Sequence, residues 1–508
     1  MTAVNEVLKA VSDWLFGSLL IWLLLGAGLW CTVRTRAVQV RHAGAVLSSV
    51  LGSRRGAGGG VSSFQAFAIG LACRVGTGNI VGVALALVLG GPGAVFWMWV
   101  VALVGMSTAF AEATLGQLFK VSRGDGTFRG GPAYYISRGL RAPVLGAVFA
   151  VVFMLANGLA MPMVQANAMT EALQASADLT PWLGAALVAL LVAPVLLGGL
   201  RSIARVTEWM APIMAGVYLL LVAVIIVLHP VQAVEALEDI VAGAFGLRAG
   251  LAGVAGGVTA AMLNGVRRGL FSNEAGLGGA ACAAGSATVA HPVQQGLIQA
   301  FGVFLDTIGV CTATALAILI AGAADPGVYT AGVTGAEDPD VAGTLTQTAV
   351  TSTLGSWTAW PMTVLILVLA YSTILGAFSY AEVCLDYLTR RPWANTALRV
   401  AGVACTLVGG GMALSTVWTL ADIMLGVGAV LNLIALVALT GWVRGALADW
   451  EEQRAALAAG EGAPGQPRFV AEGNPHLPGA LDPDSWPGRW TPTPGRTDPR
   501  HHTETQPS

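Results

Sequence analysis

The chain has 508 residues, of which 55% are hydrophobic and 11% charged, with a mean hydropathy of +0.71. Soluble globular chains carry about 25% charged residues, so most of this one faces lipid. The net charge of −2 decides little, because in a membrane protein the placement of charge matters more than its sum.

Taken in order, apolar runs of about 20 residues give about eleven spans: 14–33, 62–90, 93–119, 144–170, 181–200, 205–228, 250–285, 294–322, 357–388, 395–413 and 418–443. The first lacks a strongly basic leader and a small-residue cleavage site, and Trp30 before Cys31 argues against lipoprotein processing, so it reads as a retained span. Spans 62–90 and 250–285 are unusually long and rich in small or polar residues. They open the first and second sets of five among the spans that follow the N-terminal one, the pattern expected of an inverted repeat with two broken helices. The organisation expected is an N-terminal helix and basic loop (1–56), a transporter core (57–445, with repeats 57–230 and 245–445) and a tail (446–508).

The loops orient the chain. Arg34, Arg36, Arg41, Arg54 and Arg55 follow the first span, then Lys120, Arg123, Arg129, Arg138 and Arg141, then Arg201 and Arg205, Arg390 and Arg391, and Arg444. The alternate loops hold Glu171 and Asp178, then Glu235, Glu238 and Asp239, then Asp325, Glu337, Asp338 and Asp340. The positive-inside rule places the N-terminus outside and the C-terminus in the cytoplasm; only the short loop near His291 lacks its cations. Within the long connection 323–356, residues 344–354 read equally as a short helix or a polar loop. From about Trp450 the chain turns polar and Pro/Gly-rich, a composition expected to remain disordered.

Chemistry concentrates in the two long spans. The first holds Arg74-Val-Gly-Thr-Gly-Asn-Ile-Val-Gly82 at mid-depth. Each glycine weakens a helix by roughly 1 kcal/mol relative to alanine, and a charge at the bilayer centre costs at least ~2.5 kcal/mol. Non-helical backbone at that depth is tolerated only where protein buries it or it lines a cavity. A binding site at the break is one reading; Gly78 and Gly82 also have the spacing of a close Gly-xxx-Gly helix contact. The second carries Asn264, Arg267, Arg268, Phe271, Ser272, Asn273 and Glu274. Such groups persist in lipid only by pairing or by lining a wet cavity. Arg74 or Arg268 set against Glu274 would lock the two broken helices together.

Elsewhere, Gln165 and Asn167 lie beside Pro162, Asp306 and Thr307 sit in the eighth span, and Ser372 and Thr373 lie mid-span in the ninth with Tyr380 and Glu382 beyond. Their oxygens are hard ligands of the kind alkali cations prefer, although the hydroxyls would equally serve interhelical hydrogen bonds. Glu112, Asp386 and Asp422 stand nearer span ends and read as capping or interfacial groups. The six cysteines form no CxxC pair and read as small buried hydrophobes. There is no Walker A motif, so transport driven directly by ATP is not expected. The histidines form no cluster for a metal or haem, and basic residues are too sparse for a nucleic-acid binder.

Several stretches together resemble the alanine/glycine:cation symporters, also called sodium:alanine symporters. They are Val75-Gly-Thr-Gly-Asn-Ile-Val-Gly-Val83, Gly90-Gly-Pro-Gly-Ala-Val-Phe-Trp-Met-Trp99, Gly130-Gly-Pro-Ala-Tyr-Tyr-Ile136, Met163-Val-Gln-Ala-Asn167, Arg268-Gly-Leu-Phe-Ser-Asn-Glu-Ala-Gly276, His291-Pro-Val-Gln-Gln-Gly296 and Asp306-Thr307. The resemblance spans about 14–445 and omits the tail. It implies an all-α integral membrane protein of the LeuT-like 5+5 inverted-repeat fold with one additional N-terminal helix, coupling sodium to amino-acid transport.

Carried over by position, the resemblance implies that the backbone amides of Thr77 and Gly78 hold the substrate carboxylate at a half-helix N-terminus. Gln165 would add an amide contact, and Phe271, Asn273 and Gly276 would complete the pocket. A more distant likeness to neurotransmitter symporters implies a sodium site at the carbonyls of Ala72 and Val75 with Ser372 and Thr373, and a second ion near Asn79 and Asp306. Arg74, Arg268 and Glu274 would be structural charges. One departure stands out: where the family has a tryptophan, this chain has Ala377, followed by Phe378. The expected consequence is a reshaped pocket and a substrate that need not be alanine or glycine.

The resulting expectation is a symporter of the bacterial inner membrane that imports a small neutral amino acid with Na+, by alternating access. No other metal, nucleic acid or obligatory protein partner is expected. The alternatives are proton coupling through Glu274 or Asp306, a passive channel (for which no repeated ring of like groups is visible), and a non-transporting sensor.

Overall fold

The structure is a computed structural model, and it describes residues 2–52, 60–124, 126–247, 254–325, 327–328, 339–412, 415–460 and 466–489. The described chain is almost entirely helical. The first stretch is α1 (Thr2–Trp14), a π-helical turn Leu15–Leu20, α2 (Ile21–Arg34), α3 (Val38–Arg41) and α4 (Ala43–Gly52). Then come α5 (Ser63–Arg74), α6 (Val83–Gly90) and α7 (Gly93–Leu118), and after a two-stranded hairpin (Val121–Ser122 with Phe128–Arg129) α8 (Pro132–Gly139), α9 (Pro143–Leu155), α10 (Met161–Ala177), α11 (Pro181–Leu197), α12 (Gly199–Leu228) and α13 (Pro230–Ala244). The remainder is α14 (Val254–Asn273), α15 (Gly279–Gly285), α16 (Pro292–Val303), α17 (Thr312–Ala324), α18 (Pro339–Leu354), α19 (Ala359–Leu388), α20 (Pro392–Gly411) and α21 (Ser415–Ala458).

Local sequence explains many of the boundaries. Proline occupies the first turn of α8, α9, α11, α13, α16 and α20, where its missing N–H costs nothing and its fixed φ starts a helix. Ser62 and Gln65 form a reciprocal capping box at the start of α5, which satisfies two otherwise orphaned donors. Among the described residues, seven helical segments are long and apolar enough to cross a membrane, and α5 with Gly78–Gly90 passes the same test as a pair bent by 48°, a broken span or a re-entrant segment. Leu190, Leu220 and Val227 stand 67–77% exposed on the outside of the bundle, an apolar surface that lipid would cover.

Two packing groups emerge. α5, α7, α14, α15 and α16 pack on one another, while α10, α11, α19 and α20 form a second set; α5 and α19 meet between them. Glycine permits that meeting, since a Cβ at Gly76 would lie 2.1 Å from Thr373 Oγ1 and one at Gly376 2.9 Å from the Cys73 backbone nitrogen.

Two expectations are corrected. Residues 446–458 do not begin a disordered tail but continue α21, and residues 466–489 lie folded against the bundle with Phe469 and Trp486 buried. The composition misleads because a few aromatic anchors suffice to place a Pro/Gly-rich segment. Glu112 is not interfacial: it is fully buried in α7 and accepts from Asn432 Nδ2 at 3.0 Å. Residues 344–354, left open between helix and loop, belong to α18.

Candidate functional site

Both long spans break near the middle of the bundle. α5 ends at Arg74, and Val75, Gly76 and Thr77 lead into a π-helical turn, Gly78–Gly82, that continues as α6. α14 ends at Asn273, after which Glu274, Gly276 and Gly278 take φ values of +53°, +90° and +95° before α15 begins. Two more π-helical segments flank the breaks, Ala156–Ala160 ahead of α10 and Phe304–Cys311 between α16 and α17. Such bulges frequently mark functional sites because they turn side chains and carbonyls out of register.

A cavity lies between the breaks. Its walls are Cys73, Arg74, Gly76, Thr77, Gly78, Met161, Gln165, Phe271, Glu274, Leu277, Thr373 and Leu425. Thr77, Gly78, Gln165 and Phe271, expected at the substrate site, therefore share one wall, and Thr77 Oγ1 donates to Gln165 Oε1 at 3.0 Å.

Asn273, Gly276 and Ala377 do not line it. The Asn273 side chain folds back, its Oδ1 accepting from the Ala275 amide at 3.0 Å. The Gly276 carbonyl is taken by Asn432 Nδ2 at 2.9 Å. Ala377 is fully buried, and the Phe378 ring lies against Gly402. Met161, Leu277 and Leu425 line the cavity without any mark in the sequence, since an apolar residue in an apolar span looks like every other.

Arg74 joins the two breaks, but not through Glu274. Its Nε donates to the Asn273 carbonyl at 2.9 Å and its Nη1 to Gln299 Oε1 at 3.0 Å, while Nη2 has no partner. Glu274 makes no ion pair among the described residues; it accepts from Cys73 Sγ at 3.1 Å and Tyr380 OH at 3.4 Å. A guanidinium and a carboxylate thus face one cavity, each able to take another partner. Arg268 lies away from the cavity with its Nε buried and unpartnered, and its neighbour Arg267 pairs with Asp13 at 2.9 Å.

Beside the cavity, Ser372 Oγ and Thr373 Oγ1 approach the Ala72 carbonyl at 3.1 and 3.4 Å. Each hydroxyl also has the Leu369 carbonyl of its own helix at 2.7 and 3.0 Å. A hydroxyl carries one proton and two lone pairs. With the proton held by Leu369, the lone pairs are free to face the Ala72 side, and the three oxygens lie together beside the cavity. That is the donor chemistry of a hard-cation site. Val75, expected to share this site, makes no hydrogen bond to Ser372 or Thr373 among the described residues.

Asn79 and Asp306 form a separate buried cluster. Asn79 Nδ2 donates to Asp306 Oδ1 at 2.6 Å, and Ser272 Oγ and Thr307 Oγ1 donate to Oδ2 at 2.9 and 2.8 Å. Asn79 Oδ1 in turn accepts from the Gly76 amide at 3.0 Å. The cluster ties both broken helices to the π-helical segment of α16–α17.

The sodium:alanine symporter family profile matches residues 1–461. Amino-acid carrier protein AlsT of Bacillus subtilis is 38% identical over 451 residues, covering 89% of this chain and 93% of that protein. Probable sodium/glutamine symporter GlnT of the same organism is 38% identical, covering 89% and 92%. Sodium/alanine symporter AgcS of Methanococcus maripaludis is 36% identical, covering 86% and 95%. The chain is thus a multi-pass membrane protein that belongs to the sodium:alanine symporter family, a family of transporters and not of enzymes.

Proposed function

We propose that the chain imports a small neutral amino acid of the alanine/glycine class, driven by inward movement of Na+. The supporting observation is the convergence of the Ala72 carbonyl with the Ser372 and Thr373 hydroxyls directly beside a cavity that holds Arg74, Thr77, Gly78, Gln165 and Glu274. In this reading Thr77 and Gly78 amides take the substrate carboxylate, Gln165 adds an amide contact, and Phe271 closes the apolar side. Sodium sits at Ala72, Ser372 and Thr373, with the Asn79–Asp306 cluster as a candidate second position. Because Thr373 belongs to both the oxygen set and the cavity wall, ion and substrate share a boundary and each favours the other's binding.

The architecture proposed with it is a LeuT-like 5+5 repeat of about eleven spans in the bacterial inner membrane, N-terminus outside and C-terminus cytoplasmic. One group of helices rocks against the other around the midplane site. A membrane potential of 100 mV supplies about 2.3 kcal/mol per charge moved, enough for one sodium to drive accumulation some fifty-fold before its own gradient is added.

Proton coupling is the second reading, favoured by the unpaired Glu274 carboxylate in the cavity wall. Uptake of labelled alanine into proteoliposomes, under an imposed sodium gradient and then a proton gradient, separates the two. Glycine, serine and glutamine serve as competitors. Accumulation under sodium alone is expected. Accumulation under protons alone moves the coupling role to Glu274, and none under either gradient overturns the transport reading for this substrate class.

A further inference from the structure

The family profile's match ends at residue 461, and beyond it the described residues 466–489 are folded against the bundle. Residues 466–489 close on themselves through a parallel bridge between Glu472 and Arg489, and they run back over the face of the bundle where α7 and α15 end. Gln453 of α21 brackets the start, its Nε2 donating to the Arg468 carbonyl at 3.0 Å and its Oε1 accepting from the Arg468 amide at 2.8 Å. The Phe469 amide donates to the Ala290 carbonyl at 2.9 Å. Its ring sits edge-on to both His291 and Trp486, with centroids 5.2 and 5.0 Å apart.

Trp486 is the far anchor. Its indole N–H donates to the Gln117 carbonyl at 3.2 Å, and the adjacent Ser485 hydroxyl donates to the Lys120 carbonyl at 2.9 Å. The Lys120 ammonium lies 4.0 Å from the Trp486 ring and 4.2 Å from the Phe128 ring, a cation held between two π faces. Between the anchors, Asp482 pairs with Arg138 of α8 at 3.1 Å.

What lies beneath this segment gives it its meaning. The chain just before the first broken helix is bonded there to the chain just after the second: Val61 and Ala287 form a parallel bridge, with the Thr288 amide donating to the Val61 carbonyl at 2.9 Å. Gln117 and Lys120, the residues that Trp486 covers, donate to the same Ala287 carbonyl at 2.9 and 3.4 Å. His291, under Phe469, is fully buried and reaches Asp449 of α21 at 3.2 Å. One short segment therefore staples α21, α8 and the joined ends of both broken helices.

We propose that residues 466–489 are an autoinhibitory strap, seated with Trp486 over Lys120 and Gln117, which holds this face of the carrier shut and must lift in each transport cycle. The proposal rests on the alternating-access reading above. A strap that lifts every cycle adds its own release to the conformational step, as lid opening limits turnover in many enzymes.

The test uses the full-length protein reconstituted in liposomes. Trp486→Ala, and independently Phe469→Ala, should raise the initial rate of sodium-driven alanine uptake at saturating alanine by two-fold or more. The alanine KM should change by less than that, since neither residue touches the cavity. In the intact wild-type protein, amide exchange in 466–489 should quicken at least five-fold when sodium and alanine are both added. An active wild type with variants no faster, or a tail whose exchange is as slow as that of α7 with and without substrates, overturns the strap alone. A wild type that transports under neither gradient overturns the transport reading and the strap with it. If either variant fails to fold, the exchange measurement decides.

Discussion

In the proposed site Thr373 is the residue at which ion and substrate would meet: its hydroxyl faces Ala72 while its side chain forms part of the cavity wall beside Gly76. Thr373→Ala removes one oxygen of the converging set and leaves Ala72 and Ser372 in place. The sodium concentration for half-maximal uptake is expected to rise about ten-fold, a loss of ~1.4 kcal/mol in the range of one charge-assisted bond. Thr373→Ser should restore most of it, and a sodium titration of uptake reads both. Residues of this kind are legible in sequence because a polar group in an apolar span has to be explained. The same signal overreaches at Asn273, whose polarity stands out although its side chain only caps Ala275. It misplaces Arg74 as well, which bridges the broken helices through the main-chain carbonyl of Asn273 where the sequence suggests Glu274. A carbonyl does not vary with residue type, so the polarity of a residue does not report it.

The second break shows how an element can be encoded by what it lacks. Gly276 and Gly278 both adopt positive φ, conformations that cost other residues roughly 1–2 kcal/mol. A Cβ at Gly278 would in addition lie 2.5 Å from Pro132 Cγ. Gly278→Ala is expected to destabilise the purified protein by about 2–4 kcal/mol, strain and overpacking together, and to lower its melting temperature. Gly82→Ala, at a helical position with nothing within 4 Å, should leave it unchanged or raise it slightly. The broken character of spans 62–90 and 250–285 was readable because glycine and charge interrupt them. The long spans were readable from length and hydropathy. Helices in the connections were not: α13 carries Glu235, Glu238 and Asp239 and looks like an acidic loop, and α18 is equally polar. Both form because the bundle surface offers their apolar faces something to cover.

For the molecule as a whole, the folded tail buries Lys120, and burial pushes its ammonium down from 10.5 to about 7. Between those values the unfolded chain holds a proton that the folded one has released, so stability rises with pH across that window. The flanking Phe128 and Trp486 rings, which favour the charged form, oppose this in part. The melting temperature of the wild type should therefore climb between pH 7 and 9, and Lys120→Met should flatten the slope. His291, buried and held below its ordinary value of 6.5 by desolvation in spite of Asp449, adds a separate loss of stability as pH falls below about 6.5.

Arg74 carries one more implication. Its guanidinium is fastened to a carbonyl of the second broken helix and to Gln299 of α16, so it travels with that group whenever the group rocks. Arginine does not lose its proton, and a charge that moves through the membrane field is pulled by it at about 2.3 kcal/mol per 100 mV for a full crossing. On the alternating-access reading proposed above, membrane voltage would act on the machinery directly, before any ion binds. A voltage step applied without sodium or amino acid should evoke a transient capacitive current, its size set by the travel of Arg74 net of Glu274. Arg74→Gln should abolish or invert that transient, making the empty carrier's own electrical signature a measure of its motion.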